Sequence, residues 1–534
     1  MVKETKGGVA VKLADIFSGI DFTDMRAPAD MELTGICCDS RLAAPGCLFT
    51  AIRGTASDGH GFIKSAVENG AACVLCETPP DIDIPYVTAP DTKTALALAA
   101  ANYFGRPADR LKIIGVTGTN GKTTVTHLIK QMLENLTGRP VGLIGSIHDM
   151  LGGEIISSER TTPTTPDAIT LHGLFAKMAA GGCEYAVMEV SSHALELGRV
   201  AGITFELGVL TNLTQDHLDF HGGMEEYARA KARLFTQSRR GAVNADDAAA
   251  EALARGDKQE FARGDKQEFA RGDKQEFARG AQCEISTFTA KSDSADLAAR
   301  LVKLLPGKVE FCALMIGELE RTELNIPGMF SVYNALAAML SVRLFGFGLD
   351  AVAHALAQCA GVKGRAETVP TGRDFTVLID YAHTPDALKN IIEAVRGCAA
   401  GRVVTLFGCG GDRDKTKRPL MGEIAAKLSD FVIVTSDNPR TEAPEEIINQ
   451  ILGGMKNSKT PYAVIENRRE AIYWAIENSK PGDTLILAGK GHETYQEIHG
   501  EKSDFDERVI VAEALEAAAV SVKTAAKTPK RRQK

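Results

Sequence analysis

The stretch LKIIGVTGTNGKTTVTHLIKQML, residues 111–133, decides the fold class of this chain. It begins with a β-rich apolar run over 111–117, passes through a glycine-containing loop, and continues with apolar residues at Val125, Leu128, Ile129 and Leu133. That spacing predicts a helix with one apolar face. A strand, a glycine loop and a helix in this order indicate an α/β domain that can hold a phosphate group at the helix start.

The loop carries the groups that nucleotide binding requires, in the order Gly118, Thr119, Asn120, Gly121, Lys122, Thr123 and Thr124. Backbone N–H groups in such a loop cradle phosphate oxygens. Lys122 adds a positive charge for the outer phosphates, and the Thr123 hydroxyl can hold Mg²⁺. The strict pattern G-x-x-x-x-G-K-[ST] is not met, because Val116 stands where its first glycine belongs. We predict nucleotide binding, with a plain structural turn as the alternative.

The strand-then-loop pattern recurs and divides the chain into three regions and a tail. We predict domains over 1–108, 109–345 and 346–522, and a basic, disordered tail over 523–534. Further units of this kind occur at 185–193, 207–217, 375–388, 402–414, 430–440 and 484–493. Alternating β and α units predict mainly parallel sheets with helices on their faces. Ligands of such sheets bind beyond the carboxyl ends of the strands.

Composition and charge limit the classes of protein to which this chain can belong. The 534 residues are 44% hydrophobic and 24% charged, as in an ordinary globular protein. With 61 basic and 69 acidic residues the formal charge is −8, which argues against nucleic acid or an acidic membrane as a partner. No apolar run reaches the ~18 residues of a membrane helix, and the N-terminal segment lacks the apolar core of a secretion signal. We expect a soluble cytoplasmic protein.

Two features fall outside the nucleotide motif. Cys73 and Cys76 form a C-x-x-C pair, but the flanking AACVLCE is typical of a buried strand, so we interpret both thiols as structural rather than zinc-binding. The octapeptide RGDKQEFA occurs three times over 255–278, and Arg279-Gly280 begins a fourth copy. Its glycines weaken a continuous helix, so we predict a surface expansion over 255–280 that spares catalysis.

Three polar residues near strand ends and one lysine in a predicted helix are candidates for metal or catalytic chemistry. Glu189 ends an apolar strand in MEVSSH, where a carboxylate can bind a hard cation such as Mg²⁺. His217 and His221 follow the next strand, although a lone histidine is more often structural than a ligand. Lys231 lies in EEYARAKARLF, and on sequence alone it reads as a solvated helix lysine.

Together with the phosphate loop, further motifs resemble the Mur ligase family, ATP-dependent amide-forming enzymes of peptidoglycan precursor synthesis. These are CDSR (38–41), TTPTTPD (161–167), MEVSSHAL (188–195), TNLTQDHLDFHG (211–222), NIPGMFSVYNALAA (325–338), GRAE (364–367), DYAHTPDAL (380–388), GCGGDRDKTKRPLMG (408–422), DNPR (437–440) and GKGHETYQ (489–496). The resemblance implies three domains: one for a UDP-muramoyl substrate, a central P-loop ATPase, and a C-terminal Rossmann-like domain for the amino acid.

The resemblance also implies roles for individual residues. ATP would contact the phosphate loop together with Asn334, Arg365 and Asp380, with Arg365 near the γ-phosphate and Asp380 at the ribose. Mg²⁺ would be held by Thr123, Glu189, His217 and Lys231, the last as a carbamate. Lys122, Lys231 and His217 would be the catalytic residues. The UDP-muramoyl peptide would contact Cys38, Ser40, Thr55, Ala56, Ser57, Thr161, Thr162, Ser191, Leu197 and Arg199.

The motif DNPR points to the amino acid. The resemblance associates it with meso-diaminopimelate, which differs from lysine by a second carboxylate. Arg440 can bind that carboxylate through two parallel hydrogen bonds. The implied site consists of Arg413, Asp437, Asn438, Pro439, Arg440, Gly489 and Glu493.

The implied reaction is ATP-dependent addition of diaminopimelate to UDP-N-acetylmuramoyl-L-alanyl-D-glutamate through an acyl phosphate. The alternatives are the same step with L-lysine, another Mur or folylpolyglutamate-type ligase, or a nucleotide-dependent switch without amide chemistry. Expected cofactors are ATP and Mg²⁺. We expect a monomer that binds small-molecule substrates, and neither nucleic acid nor membrane. The base for the incoming amine stays open between His217 and nearby carboxylates.

Overall fold

The structure, a computed structural model, describes residues 10–54, 57–157, 164–214, 218–247, 250, 283–305 and 307–527. The chain divides into two compact units. Unit 1 comprises residues 1–288 with 340–344, and unit 2 comprises residues 289–339 with 345–534. The octapeptide expansion predicted over 255–280 lies outside the described residues. The three predicted domain ranges stay predictions.

The first sheet of unit 1 lies in the N-terminal part of the chain. Its strands follow the spatial order Asp24–Met25, Tyr86–Thr88, Ala71–Cys76, Cys47–Thr50 and Gly35–Cys37. All neighbours pair in parallel except Asp24–Met25, which is antiparallel to its neighbour. Cys73 and Cys76 are buried in the strand Ala71–Cys76, so the interpretation of this segment as a buried strand is confirmed. A separate antiparallel pair joins Val11–Lys12 to Glu32–Leu33.

The second sheet of unit 1 contains the phosphate loop. Its strands follow the order Glu154–Ser157, Asp149–Leu151, Gly142–Ile144, Tyr185–Glu189, Lys112–Thr117, Leu207–Leu210, Arg240–Asn244 and Glu284–Thr289. From Gly142–Ile144 onward the neighbouring strands are parallel. The strand Lys112–Thr117 lies between Tyr185–Glu189 and Leu207–Leu210, so the loops that follow these three strands meet at one edge.

Helices connect these strands in unit 1. The longest, Lys122–Thr137, begins after Gly121 (φ +88°) and ends at Gly138 (φ +64°), which supply the left-handed conformations at its ends. Asp167 caps the helix Ala168–Ala180 by accepting the Thr170 N–H at 3.0 Å. Within the described part of unit 1, the other helices are Leu13–Ile16, Ser40–Leu42, Gly59–Phe62, Ile63–Glu68, Thr92–Tyr103, Pro107–Arg110, Ser192–Glu196, Leu218–His221 and Met224–Thr236.

Unit 2 opens with an antiparallel meander that the sequence analysis did not anticipate. Its strands are Leu297–Leu304, Val309–Met315 and Glu318–Leu324. Exposed and buried residues alternate along Glu318–Leu324, as expected for a strand with one solvated face. The helices Met329–Arg343 and Leu349–Ala357 follow along the chain.

A mainly parallel sheet forms the rest of unit 2. Its strands follow the order Glu367–Val369, Thr376–Asp380, Thr484–Ala488, Val403–Phe407, Phe431–Val434 and Tyr462–Val464, and only Glu367–Val369 is antiparallel to its neighbour. The helices are Pro385–Arg396, Lys417–Leu428, Pro444–Met455, Arg468–Glu477 and Glu507–Lys527, and a hairpin joins Tyr495–Ile498 to Glu501–Asp504. The predicted α/β class is confirmed.

Two further expectations concern the ends of the chain and membranes. The last helix continues to Lys527, five residues into the segment predicted as a disordered tail. Alanine and lysine favour helix, and these residues extend the helix beyond the predicted boundary. Among the helices within the described ranges, none has both the length and the apolar character needed to cross a membrane.

Candidate active site

The phosphate loop is held in shape by the strand beside it. Gly118 has φ +142°, and a Cβ there would lie 2.0 Å from Thr211 Oγ1, so only glycine fits. Thr211 Oγ1 donates to the Asn120 carbonyl at 2.6 Å. Asn212 Oδ1 accepts the Asn120 N–H at 2.9 Å. Thr211 and Asn212 lie within the motif TNLTQDHLDFHG, where the sequence alone indicates no role for them, and the structure shows that they brace the loop.

Two lysines converge on the first residue of the loop. Lys122 Nζ donates to the carbonyls of Gly118 and Thr119 at 2.8 and 2.9 Å. Lys231 Nζ donates to the same Gly118 carbonyl at 2.8 Å and lies 4.4 Å from the Tyr227 ring centroid. Lys231 is 1% exposed, so its interpretation as a solvated helix lysine is wrong. Lys122 and Lys231 therefore both contact the carbonyl of Gly118, where the loop begins.

Glu189 lies beside Thr123 at the same edge of the sheet. Its carboxylate is fully buried and accepts the Thr123 hydroxyl at 3.1 Å. Ser146 donates to both oxygens of this carboxylate, through its N–H at 2.6 Å and its hydroxyl at 3.0 Å. Carboxylate and hydroxyl oxygens are donors that Mg²⁺ prefers, so Thr123 and Glu189 fit a magnesium site. Sequence reasoning missed Ser146, although Gly145-Ser146 directly follows the strand Gly142–Ile144 at this edge.

The segment after Glu189 is tied to the loop that precedes the helix Ala168–Ala180. Thr165 Oγ1 donates to the Glu189 carbonyl at 2.9 Å and accepts the Ser191 N–H at 3.0 Å. Arg199 Nη1 donates to the Thr165 carbonyl at 3.0 Å. Ser191 caps the short helix Ser192–Glu196, and Leu197 ends it. The structure therefore brings Ser191 and Arg199, two residues of the predicted muramoyl-peptide site, close to Glu189.

The N-terminal residues of the predicted substrate site lie on the first sheet of unit 1. Cys38 is exposed and precedes the buried Ser40. Partial burial of its thiol, followed by the Asp167 carboxylate, raises the pKa of Cys38 to about 11. The Ser57 carbonyl accepts the Gly54 N–H at 2.9 Å. Four other predicted contacts lie outside the described residues, namely Thr55, Ala56, Thr161 and Thr162.

The two histidines after the strand Leu207–Leu210 have different outcomes. His217 lies outside the described residues, so its assignment as a metal ligand stays a prediction. The His221 side chain is buried, and its Nε2 lies 2.9 Å from the Ser192 hydroxyl. This contact gives His221 a structural role between two short helices.

The remaining predicted nucleotide contacts lie in unit 2. Asp380 accepts the N–H groups of Ala366 at 2.6 Å and Ala382 at 2.8 Å. Burial raises the pKa of the Asp380 carboxyl, and the Arg365 guanidinium opposes that shift. The Arg365 guanidinium carbon also lies 4.9 Å from the Tyr381 ring centroid. Arg365 and Asp380 are thus neighbours.

Asn334 is the other predicted nucleotide contact in unit 2. It is 7% exposed within the helix Met329–Arg343. The contact of Asn334 with the nucleotide stays a prediction.

The DNPR segment of unit 2 forms a polar cluster with GKGHE. Asn438 Nδ2 donates to Glu493 Oε2 at 2.8 Å. Asp437 Oδ1 accepts the Asn438 N–H at 2.7 Å. Gly489 has φ +111°, and a Cβ there would lie 2.6 Å from Asp437 Oδ2, so this glycine lets the two loops approach. Burial raises the pKa of the Glu493 carboxyl.

Arg440 is fixed through both its backbone and its side chain. Its φ is +52°, its N–H donates to the Glu497 carbonyl at 3.1 Å, and its carbonyl accepts the His499 N–H at 2.7 Å. Its Nη1 donates to the Gly411 carbonyl at 2.8 Å, and its Nε lies 3.4 Å from Glu497 Oε2. A left-handed conformation at a non-glycine residue is strained and persists where surrounding bonds hold it.

Glycines of the GCGG segment allow the neighbouring loops to approach Arg440. A Cβ at Gly410 would lie 3.0 Å from Arg440 Nη1 and 3.8 Å from Arg413 Cγ. A Cβ at Gly411 would lie 1.9 Å from the Pro439 carbonyl oxygen. The structure therefore brings Arg413, Pro439 and Arg440 together.

A buried ion pair that sequence reasoning missed supports these loops. Arg418 is 0% exposed, and its two terminal nitrogens donate to the Glu442 carboxylate at 2.9 Å each. Arg418 Nη2 also donates to the Gly410 carbonyl at 3.0 Å. The guanidinium holds the pKa of Glu442 well below its usual range. Arg418 could have been noticed in the sequence, because it lies inside the quoted motif GCGGDRDKTKRPLMG.

Comparison with known proteins identifies the family. Family models match over residues 32–116 (Mur ligase family, catalytic domain), 116–342 (Mur ligase middle domain) and 364–491 (Mur ligase, glutamate ligase domain). A relative from Caldanaerobacter subterraneus subsp. tengcongensis is 44% identical over 510 residues, which are 95% of this chain and 99% of the relative. The chain belongs to the Mur ligase family. The family resemblance seen in the sequence is thereby confirmed.

The names of the relatives indicate which members of the family are similar to this chain. The Caldanaerobacter relative is a UDP-N-acetylmuramoyl-L-alanyl-D-glutamate--2,6-diaminopimelate ligase. A solved structure with that same name has 31% identity and a TM-score of 0.67, and the match covers 96% of this chain and 99% of that one. The MurF ligase from Thermotoga maritima in complex with ADP shares the fold at 19% identity, with a TM-score of 0.58 over 91% of this chain and 98% of that one.

Proposed function

We propose that this Mur ligase joins meso-diaminopimelate to UDP-N-acetylmuramoyl-L-alanyl-D-glutamate at the expense of ATP. The observation that carries the proposal is the cluster of Asp437, Asn438, Arg440 and Glu493, which combines a guanidinium with carboxylate and amide oxygens. Diaminopimelate carries a carboxylate and an ammonium at its distal end, and such a cluster complements both. The 44% identical relative with the diaminopimelate ligase name supports the same substrate.

The activating half of the reaction belongs to the phosphate loop. The glutamate carboxylate of the acceptor attacks the γ-phosphorus of ATP, ADP departs, and an acyl phosphate forms. The loop N–H groups and Lys122 hold phosphate oxygens, and Arg365 is proposed to act near the γ-phosphate. Because the transferring phosphoryl group spreads its negative charge, the protein contributes mainly position and positive charge.

Magnesium would be held by Thr123 and Glu189, with His217 and carbamylated Lys231 as further proposed ligands. When bound, Mg²⁺ neutralises phosphate charge and orients oxygens for transfer. Glu189 is already fixed by Ser146, so its carboxylate is oriented in advance. The buried position of Lys231 beside the phosphate loop supports the carbamate proposal, because a carbamate there would bring oxygen ligands to the magnesium site.

In the second half, the amine of diaminopimelate attacks the acyl carbon and phosphate leaves. Arg440 is proposed to bind the distal carboxylate, Arg413 the near carboxylate, and Asp437, Asn438 and Glu493 the distal ammonium. With lysine bound, Arg440 would face no substrate carboxylate and would keep only its protein partners, the Gly411 carbonyl and Glu497. Sites that leave a buried polar group unpaired discriminate by about 10⁴-fold or more.

A phosphate-release assay tests this function. With ATP and Mg²⁺ present, release should require the UDP-muramoyl dipeptide and diaminopimelate together, and mass spectrometry should find the tripeptide product in equal amount. Phosphate release that does not depend on either reactant would support a nucleotide-dependent switch instead. Product formed only with a different acceptor would support another ligase of the family.

A further inference from the structure

We propose that Lys490 is a positioning residue for the amino-acid site: its buried ammonium holds Asn438 and Glu493 in the orientation that leaves the Glu493 carboxylate to receive the distal ammonium of diaminopimelate. The inference rests on the proposed function. It assigns a role to a fully buried lysine that lies between the carboxylate and the amide of that site but is not itself proposed to touch the substrate.

The contacts of Lys490 are few and specific. Lys490 is 0% exposed. Its Nζ donates to Asn438 Oδ1 at 3.0 Å and to Glu493 Oε2 at 3.2 Å. The same Nζ lies 5.6 Å from the ring centroids of Tyr495 and Phe505. A lysine ammonium removed from water is strongly disfavoured unless its partners compensate, so these contacts hold Lys490 in one place.

Lys490 determines which way the Asn438 amide faces. A lysine ammonium only donates hydrogen bonds, so the atom that it contacts on Asn438 must be the acceptor Oδ1. The same Oδ1 also accepts the Glu497 N–H at 3.0 Å. The amide nitrogen then points to Glu493 Oε2, at 2.8 Å. Two donors from the opposite side thus fix an amide that could otherwise rotate.

Lys490 also determines which oxygen of Glu493 is available. Lys490 and Asn438 both contact Oε2, so Oε1 is the oxygen that remains for a ligand. Burial raises the pKa of the Glu493 carboxyl, and the Lys490 charge opposes that shift. Without Lys490, the carboxyl would hold its proton more strongly and would attract an ammonium group less.

The test is Lys490→Met, which keeps the length of the side chain and removes its charge. The KM for diaminopimelate should rise about 10-fold or more, because a hydrogen-bonded charge is lost from the site. The KM for ATP and the kcat at saturating diaminopimelate should stay within about twofold of the parent. The matched control is Lys502→Met, since the exposed Lys502 also lies over Tyr495, 4.4 Å from its centroid, but contacts neither Asn438 nor Glu493.

A second variant separates positioning from general support of the fold. Lys490→Arg keeps the charge and should retain a lower KM for diaminopimelate than Lys490→Met. An unchanged KM for diaminopimelate in Lys490→Met would overturn the inference. So would a KM that rises equally for ATP and for diaminopimelate in both variants. A parent protein that does not use diaminopimelate would refute the proposed function itself, which the parent assay reveals before any variant is compared.

Discussion

The phosphate loop of unit 1 and the Asp437–Arg440 cluster of unit 2 both lie at the carboxyl ends of parallel strands, yet they offer a ligand different atoms. The loop offers backbone N–H groups and the ammonium group of Lys122. The cluster offers side chains of both charges, led by Arg440 and Glu493. Backbone groups recognise a phosphate wherever it occurs, whereas paired side-chain charges match one particular amino acid.

The two regions also differ in what holds them. The loop is braced by Thr211 and Asn212, uncharged residues of one neighbouring segment. The loops of unit 2 depend on ion pairs such as Arg418–Glu442. Substitutions in the first region should therefore impair chemistry with every amino acid, and substitutions in the second should change which amino acid is used.

The largest effect should come from Lys122→Ala. Loss of a positioned charge at the transferring phosphate should lower kcat about 10³-fold. Calorimetry should find diaminopimelate affinity unchanged. The control Lys112→Ala removes a surface lysine paired with Glu184 and should have no such effect. A Lys122→Ala variant with near-parental kcat would mean that the loop does not act on the transferred phosphate.

Arg440→Ala should lower kcat/KM for diaminopimelate about 100-fold, because the distal carboxylate loses its charged partner. The KM for ATP should stay within about twofold. Arg469→Ala, which removes an exposed arginine that contacts Glu513, serves as the control. Equal diaminopimelate kinetics in Arg440→Ala and the parent would contradict the proposed role.

A pair of glycine substitutions sharpens the comparison further. Gly118→Ala places a Cβ against Thr211, and Gly489→Ala places one against Asp437, and both force a strained backbone. We expect about a 10-fold rise in the KM for ATP in the first and for diaminopimelate in the second. Gly317→Ala, with φ +79° and open space around it, should change neither. The reverse pattern would mean that the two sites are assigned to the wrong regions.

The last prediction concerns pH and stability. His172 in unit 1 is 1% exposed, and burial lowers its pKa from 6.5 to about 4. The unfolded chain therefore binds a proton that the folded chain excludes, and stability falls as pH drops from 6.5 toward 4, by up to about 1.4 kcal/mol per pH unit. The depressed pKa of Glu442 in unit 2 acts only below its ordinary value of 4.5.

As the pH falls, His172 should therefore destabilise unit 1 before Glu442 affects unit 2. Hydrogen exchange of peptides from the helix Ala168–Ala180 and from the Arg418–Glu442 region checks this order. Between pH 7 and 5, protection should fall in unit 1 first, and His172→Phe should remove that fall. Equal losses in both regions over this range would contradict the assignment to His172.

Some of these features were predictable from sequence. The strands, the loops at their ends and the phosphate motif follow local patterns, and the family motifs located the polar clusters. The burial of Lys231 was also accessible, because Tyr227 and Leu234 lie four residues before it and three after it, on the same face of the helix. The interpretation of Lys231 as a solvated residue gave too much weight to its charge.

Other features depend on contacts between distant residues. Lys490 meets Asn438 across 52 positions, and Ser146 meets Glu189 across 43 positions. No local pattern reports such pairs. The antiparallel meander over 297–324 was missed because its strands lack the loop motifs that marked the parallel ones.

The most direct test of the central claim compares amino acids in one assay. Phosphate release should be followed with ATP, Mg²⁺ and the UDP-muramoyl dipeptide, while diaminopimelate, lysine and ornithine are supplied separately. We predict that kcat/KM for diaminopimelate exceeds that for lysine by about 10⁴-fold, because only diaminopimelate supplies a carboxylate to Arg440. Comparable values for lysine and diaminopimelate would contradict the account.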